Sequence, residues 1–246
     1  MSRNVVIVGA TSAMAQEVAR HFADARDRLI VVARDAAKLQ AVAKDLVARG
    51  AAGVDEIICD LADLSALPGL VSKLTEAAPR LDVVLVAHGV LGDQAEAERD
   101  WAHAEMLLRV NFTSVAALLT PLANRLEKQG SGTIAIISSV AGDRGRATNY
   151  VYGAAKAATT AFASGLRNRL AKKGVHVLTI NPGFVATPMT AHLKQGPLVA
   201  DPRSVGQMIF RAIEAKRDVA YVPGFWRLIM FVIRHIPERI FKRLKL

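Results

Sequence analysis

Tyr152 and Lys156 stand four residues apart in Tyr152-Gly153-Ala154-Ala155-Lys156, at the head of an alanine-rich stretch with helical spacing. Residues four apart lie on one helix face, so the phenol and the ammonium are expected to point into one pocket. A free phenol titrates near 10 and exchanges protons poorly at neutral pH. A neighbouring cation stabilises the phenolate and is expected to lower that value. Ser139 ends an apolar run upstream, where its hydroxyl would hydrogen-bond a substrate carbonyl or hydroxyl. The three groups suit proton transfer at a C–O bond that is gaining or losing hydride. Tyr-x3-Lys pairs also arise by chance on many helices, so the elements that position this one decide its meaning.

Those elements alternate along the whole chain. Short runs rich in Val and Ile at 5–8, 29–33, 54–59, 83–87, 133–138 and 175–180 read as buried strands. Periodic stretches at 12–23, 36–49, 105–128 and 151–173 read as helices, the last stopped by Gly174 after Lys172 and Lys173. Alternating strands and helices predict an α/β fold: a single Rossmann-type doubly wound parallel sheet with helices on both faces. With 246 residues, 52% of them hydrophobic, the chain can bury one substantial core. The expected organisation is a dinucleotide-binding and catalytic domain over 1–224 and an apolar, basic tail over 225–246. The irregular stretch 182–201 is long enough to be a functional lid.

In open α/β sheets, ligands bind at the carboxyl ends of strands, and a first turn feeding a helix N-terminus suits a pyrophosphate. Gly9-Ala10-Thr11-Ser12-Ala13-Met14-Ala15 occupies that turn. Gly9 allows the tight bend and Ser12 would reach phosphate oxygens, whereas Ala13 and Ala15 stand where a glycine fingerprint has Gly. Arg34 follows the second strand, where a dinucleotide's adenosine ribose belongs. An arginine there favours a 2′-phosphate, a carboxylate a free 2′-hydroxyl, and Asp35 is adjacent. NADP(H) is the preferred cofactor, with NAD(H) as the alternative. Asp60, with Leu61 behind it, either meets the adenine edge or caps the next segment.

One cysteine, Cys59, excludes an internal disulfide and a cysteine-rich zinc site, and no metal is expected. A strand begins within a few residues of Met1, leaving no room for a cleavable leader. A cytoplasmic location, either free or peripherally attached to the inner membrane, is the expectation. The net charge of +10 calls for nucleic acid, an anionic membrane or a phosphorylated substrate. No aromatic-interleaved basic strand or recognition motif supports nucleic acid.

Gly9 with Thr11 and Ser12, Asp60, Asn111, Ser139, Tyr152 with Lys156, and Asn181-Pro182-Gly183 followed by Thr187 resemble, in order and spacing, the short-chain dehydrogenase/reductase family up to about residue 220. The resemblance implies a catalytic set of Ser139, Tyr152 and Lys156, with Asn111 in a water-linked proton relay. It further implies cofactor contacts at Gly9, Thr11, Ser12, Met14, Arg34, Asp60, Leu61, His88, Gly89, Tyr152 and Lys156. The segment Pro182, Gly183, Val185 and Thr187 would close on the nicotinamide. Homodimers or homotetramers are common in such a family. Val86-Ala87-His88-Gly89 departs from the family's Asn-Asn-Ala-Gly, so His88 either touches cofactor ribose or substrate, or is a structural replacement. Tyr150 lies six residues before Lys156 and should face elsewhere.

The stretches 88–93, 141–146, 189–194 and 234–237 also resemble the decaprenylphosphoryl-2-keto-ribose 2-reductases, implying a lipid-linked keto-sugar substrate. An ordinary hydrophobic ketone, acyl or steroid-like, is the alternative, and a non-catalytic nucleotide sensor a remote one. Arg144, Arg146, His192 and Lys194 are expected either to meet a substrate phosphate or to be solvated surface charge. In the tail, the apolar run 228–233 is far too short for the roughly 18–20 residues of a spanning helix. Ile240, Phe241 and Leu244 are expected to share one helical face opposite basic residues, to rest on anionic lipid or on a neighbouring subunit.

Overall fold

The computed structural model describes residues 2–190 and 196–244. Seven strands form one parallel sheet in the order β3-β2-β1-β4-β5-β6-β7. They are β1 (Asn4–Val8), β2 (Arg28–Ala33), β3 (Gly53–Ile58), β4 (Val83–Val86), β5 (Gly132–Ile137), β6 (Val175–Pro182) and β7 (Val219–Val222). The helices between them are α1 (Ala13–Asp24), α2 (Ala36–Ala48), α3 (Leu67–Ala77), α4 (Gln94–Arg99), α5 (Trp101–Leu108) and α6 (Ser114–Gln129). Then follow α7 (Tyr150–Leu170), α8 (Pro202–Glu214), α9 (Trp226–His235) and α10 (Glu238–Phe241). The expected Rossmann-type sheet is present, with β7, α3, α4 and α8 added beyond the elements read from sequence.

The sheet is covered on both faces, which is why its central strands are apolar throughout rather than alternating. Val5 and Ile7 of β1 and Leu29 and Val31 of β2 pack with Val18 and Phe22 of α1, Leu39 and Leu46 of α2, and Ile209 and Ile213 of α8. The intervening residues, Val6, Val8, Ile30 and Val32, turn to Leu70 and Leu74 of α3, Leu118 and Leu122 of α6, and Leu166 and Leu170 of α7. Strand order reverses between β1 and β4, and the crevice above that switch point is where such sheets hold ligands.

Two expected helices differ in a way that matters. The stretch read as one helix over 105–128 is α5 and α6 joined by a π-helical turn, Arg109–Thr113, with buried Asn111 inside it. A π-turn accommodates one extra residue and is often found at functional sites. The stretch read as 151–173 is α7 and a 3₁₀ turn (Ala171–Lys173), ended at Gly174 with φ 74° as anticipated.

The C-terminal segment is docked, not free. Trp226 and Met230 of α9 are buried against Val140. Phe241 does not share the exposed face expected for it with Ile240 and Leu244; it is buried, because the Arg144 guanidinium stacks on its ring at 3.7 Å.

Candidate active site

The first turn after β1 builds the floor of a groove. Gly9 has φ 82°, and a Cβ there would lie 2.6 Å from the His88 backbone nitrogen, so only glycine lets the first and fourth strand ends approach. Ser12 occupies the N-cap of α1 without making a side-chain cap bond, leaving its hydroxyl available at a helix terminus suited to anions. Gly9, Thr11, Ser12, Arg34, Asp60, Leu61, His88 and Gly89 line one cavity of about 340 Å³. Met14 instead packs against the core below. Asp60 lines the groove and accepts the Ala62 backbone N–H at 3.0 Å, but it does not cap the next segment, because Asp63 occupies that N-cap.

The two residues after β2 have separate duties. The Asp35 carboxylate caps α2, accepting the Lys38 N–H at 3.0 Å, and pairs with the Lys38 ammonium at 3.4 Å. The capping bond and that cation hold its carboxyl below the usual range. Arg34 is exposed in the groove wall and, among the described residues, makes no ion pair or side-chain hydrogen bond.

A second cavity, of about 690 Å³, is lined by Ser138, Ser139, Arg146, Asn149 and Tyr152 on one side and Pro182, Gly183, Phe184 and Val185 on another. Thr187 and Met189 line both cavities, so the two meet there. Ser139 is fixed by accepting the Ala141 N–H at 3.1 Å. Tyr152 and Lys156 share one face of α7, the ammonium 5.7 Å from the phenol ring centre. Tyr150 is exposed, as anticipated.

Lys156 is 3% exposed and donates to the Ile137 carbonyl at 3.1 Å. Burial penalises its charge and brings its pKa down to about 8. The expected acidification of Tyr152 is not what the ligand-free protein has. Burial disfavours the phenolate and pushes the phenol up to about 12, with the Ser139 hydroxyl acting in the other direction. The phenol is therefore a held proton, not a preformed base.

His88 is also affected: burial, then the Lys156 charge, brings its pKa down to about 3, so the ring is neutral at physiological pH. Its Nε2 is 2.9 Å from the Ser114 hydroxyl, which itself donates to the Val110 carbonyl. The imidazole therefore donates from Nε2, and Nδ1 is a buried acceptor with no partner among the described residues. Asn111, presented by the π-turn, braces the groove wall. Its Nδ2 donates to the carbonyls of Val90 and Leu107, both at 2.9 Å, and its Oδ1 accepts the Val90 N–H at 3.1 Å. Thr159 of α7 donates to the Asn111 carbonyl at 2.9 Å, tying the π-turn to the catalytic helix.

The substrate-side candidates divide. Arg146 lines the larger cavity, its Nε buried and unpartnered. Arg144 is turned away: it donates to the Ile233 carbonyl at 2.7 Å and the Ile236 carbonyl at 2.6 Å, and pairs with Glu238 at 2.8 Å. It holds the end of α9 instead of meeting substrate, since the last carbonyls of a helix need donors. His192 and Lys194 lie outside the described residues. Sequence reasoning missed Ser138, whose hydroxyl donates to the Lys156 carbonyl at 2.9 Å, and Trp226, whose indole rests so closely on Gly183 that a Cβ there would overlap it. Neither carries a local signal, because both contacts join distant segments.

A model of the family described as short chain dehydrogenase matches residues 3–197. The chain belongs to the short-chain dehydrogenase family. It is thereby an NAD(P)-dependent oxidoreductase. An uncharacterized oxidoreductase of Mycobacterium tuberculosis is 37% identical over 240 residues, covering 98% of this chain and 96% of the relative. One from Streptomyces coelicolor is 32% identical, with 98% and 96% covered. Among solved structures, a short-chain dehydrogenase from Sphingobium yanoikuyae in complex with NADPH superimposes with a TM-score of 0.83 at 23% identity, over 96% of this chain and 97% of that one; at that identity the likeness carries the fold.

The buried lysine sets a measurable balance. Its folded pKa of about 8 lies below the 10.5 of the free side chain. Between these values the unfolded chain holds a proton that the folded one has released, so this group's contribution to stability rises with pH across that window. Lys156→Met is expected to stabilise the ligand-free protein by about 1–4 kcal/mol at neutral pH and to remove the rise between about pH 8 and 10, read by urea unfolding at several pH values. An equally steep rise in the variant would show that another group is responsible.

Proposed function

We propose that the protein is an NADP(H)-dependent reductase that converts a ketone to a secondary alcohol. The observation that carries this reading is the placement of Ser139 and Tyr152 in the wall of the larger cavity, with Lys156 buried on the same face of α7. That cavity meets the groove at the first βα turn through Thr187 and Met189. The cofactor, when bound, supplies hydride to the carbonyl carbon. Ser139 orients the carbonyl oxygen, and Tyr152 delivers its proton to that oxygen. The raised pKa keeps the resting phenol protonated, and stabilisation of the phenolate by the Lys156 ammonium and the Ser139 hydroxyl lowers the cost of giving that proton up. Asn111 keeps the Gly89–Val90 wall in place. His88, neutral and with Nδ1 open, suits an accepted hydrogen bond from a cofactor hydroxyl.

For the choice of cofactor, the free Arg34 and the occupied Asp35 carboxylate favour a 2′-phosphate. Arg34→Ala is expected to weaken NADPH binding by about 10–100-fold while leaving NADH within a factor of about two, measured by titration of cofactor fluorescence. Equal loss for both cofactors would refute this role. Tyr152→Phe is expected to lower kcat by about 10²–10⁴-fold with NADPH affinity unchanged; near-normal turnover would remove the tyrosine from the mechanism.

A second reading of the substrate, a keto-sugar carried on a polyprenyl phosphate, is favoured by Arg146. A cation with a buried, unpartnered Nε in a largely apolar cavity suits a substrate with an anionic group on an apolar body. Burial holds its pKa below the ordinary value, with Asp143 opposing. Arg146→Met is expected to raise KM for a phosphorylated ketone by about tenfold or more and to leave a neutral hydrophobic ketone unaffected. Equal effects on both would favour the ordinary ketone.

A further inference from the structure

We propose that α9, with the groove between it and the exposed edge of β7, docks this protein on an anionic lipid bilayer. The helix is apolar on every side but its flank. Trp226 and Met230 face the protein, with Ile229 and Ile233 beside them. Leu228, Phe231 and Val232 point outward and are 69%, 60% and 56% exposed. A helix apolar all round normally has cover on all sides, and a contiguous exposed apolar patch marks an interaction surface. Beneath the patch, the buried Trp226 contacts both the exposed Phe225 and Phe184 in the wall of the larger cavity, so the helix backs that cavity.

Charge decides what covers it. Arg217, Arg227, Arg234 and His235 line the groove together with Leu228 and Phe231. No carboxylate lies within ion-pair distance of these three arginines, nor of Arg239, Lys242 or Arg243, among the described residues. The one acid of α9 and α10, Glu238, is taken by Arg144. A second copy of the chain docking this face on itself would bring two unneutralised basic surfaces together, because a two-fold contact uses the same patch on both subunits. A surface of anionic headgroups above acyl chains satisfies both the cations and the apolar residues. Arg144 prepares the platform by fixing the bend between α9 and α10, so little order has to be created on docking. This surface is independent of the reaction assigned above, and it would bring the substrate cavity to the membrane plane.

The test is flotation of the full chain, without cofactor or substrate, with vesicles of phosphatidylcholine alone or mixed with phosphatidylglycerol. Wild type is expected to float with the mixed vesicles and not with phosphatidylcholine alone, and to be released when salt rises from about 0.1 M to about 0.5 M. Leu228→Glu/Phe231→Glu and, separately, Arg217→Gln/Arg227→Gln are each expected to lower vesicle partitioning by roughly tenfold or more. Both pairs are exposed, and unchanged thermal melting with unchanged turnover of a small soluble ketone checks that each variant folds. No flotation of wild type with mixed vesicles would overturn the proposal, as would undiminished flotation of both variants. Conversion of a wild-type oligomer to monomer by the glutamate pair would overturn it too, assigning the face to a second copy.

Discussion

A single ammonium, buried beneath two cavities with one protein carbonyl as its hydrogen-bond partner, governs the rest of this molecule. Water would solvate that charge far better than Ile137 does, so the surrounding fold must compensate for keeping it inside. The sheet core supplies that stability, and the region around Lys156 is arranged to exploit the charge. Nearby His88 stays neutral. Tyr152 stays protonated. Ser138 ties the lysine's own backbone to the end of β5, which fixes where the ammonium can reach. A flexible lysine on the surface would do none of this.

The second governing constraint is close approach at the strand ends. Gly9 brings β1 against His88, and Gly183 lets Trp226 rest on the loop leaving β6. The first contact shapes the groove above the sheet's switch point. The second makes α9 a backing layer of the larger cavity, so that cavity's wall depends on a helix that lies more than forty residues beyond Gly183 in the chain.

Much of this was legible in residue types. The first six strands announced themselves as short Val- and Ile-rich runs, although β3, expected to be buried, lies at the sheet edge with only Ile57 buried. Gly174 marked the end of α7 through its left-handed backbone. The shared face of Tyr152 and Lys156 followed from helical spacing. What escaped was long-range. β7 is four residues beside a basic loop, with too little pattern to stand out. The acidification expected of Tyr152 is absent because burial, which no local spacing reveals, pushes the phenol up against the opposing Ser139 hydroxyl. Arg144 and Arg146 look alike in sequence, yet side chains two apart leave a turn in different directions; one reached the cavity and the other a helix end. Asn111 was recognisable from its family setting, but not the π-turn that aims it.

That turn has an evolutionary reading. A π-bulge behaves as one residue inserted into an ordinary helix, and here the extra residue rotates an asparagine onto the Val90 backbone and offers its carbonyl to Thr159. Deleting a single codon in 109–113 would restore a regular helix with the same apolar stripe packed on the sheet. Such a descendant would keep its outline and lose the alignment of its groove wall, so selection for a well-formed scaffold and selection for turnover pull this helix in opposite directions.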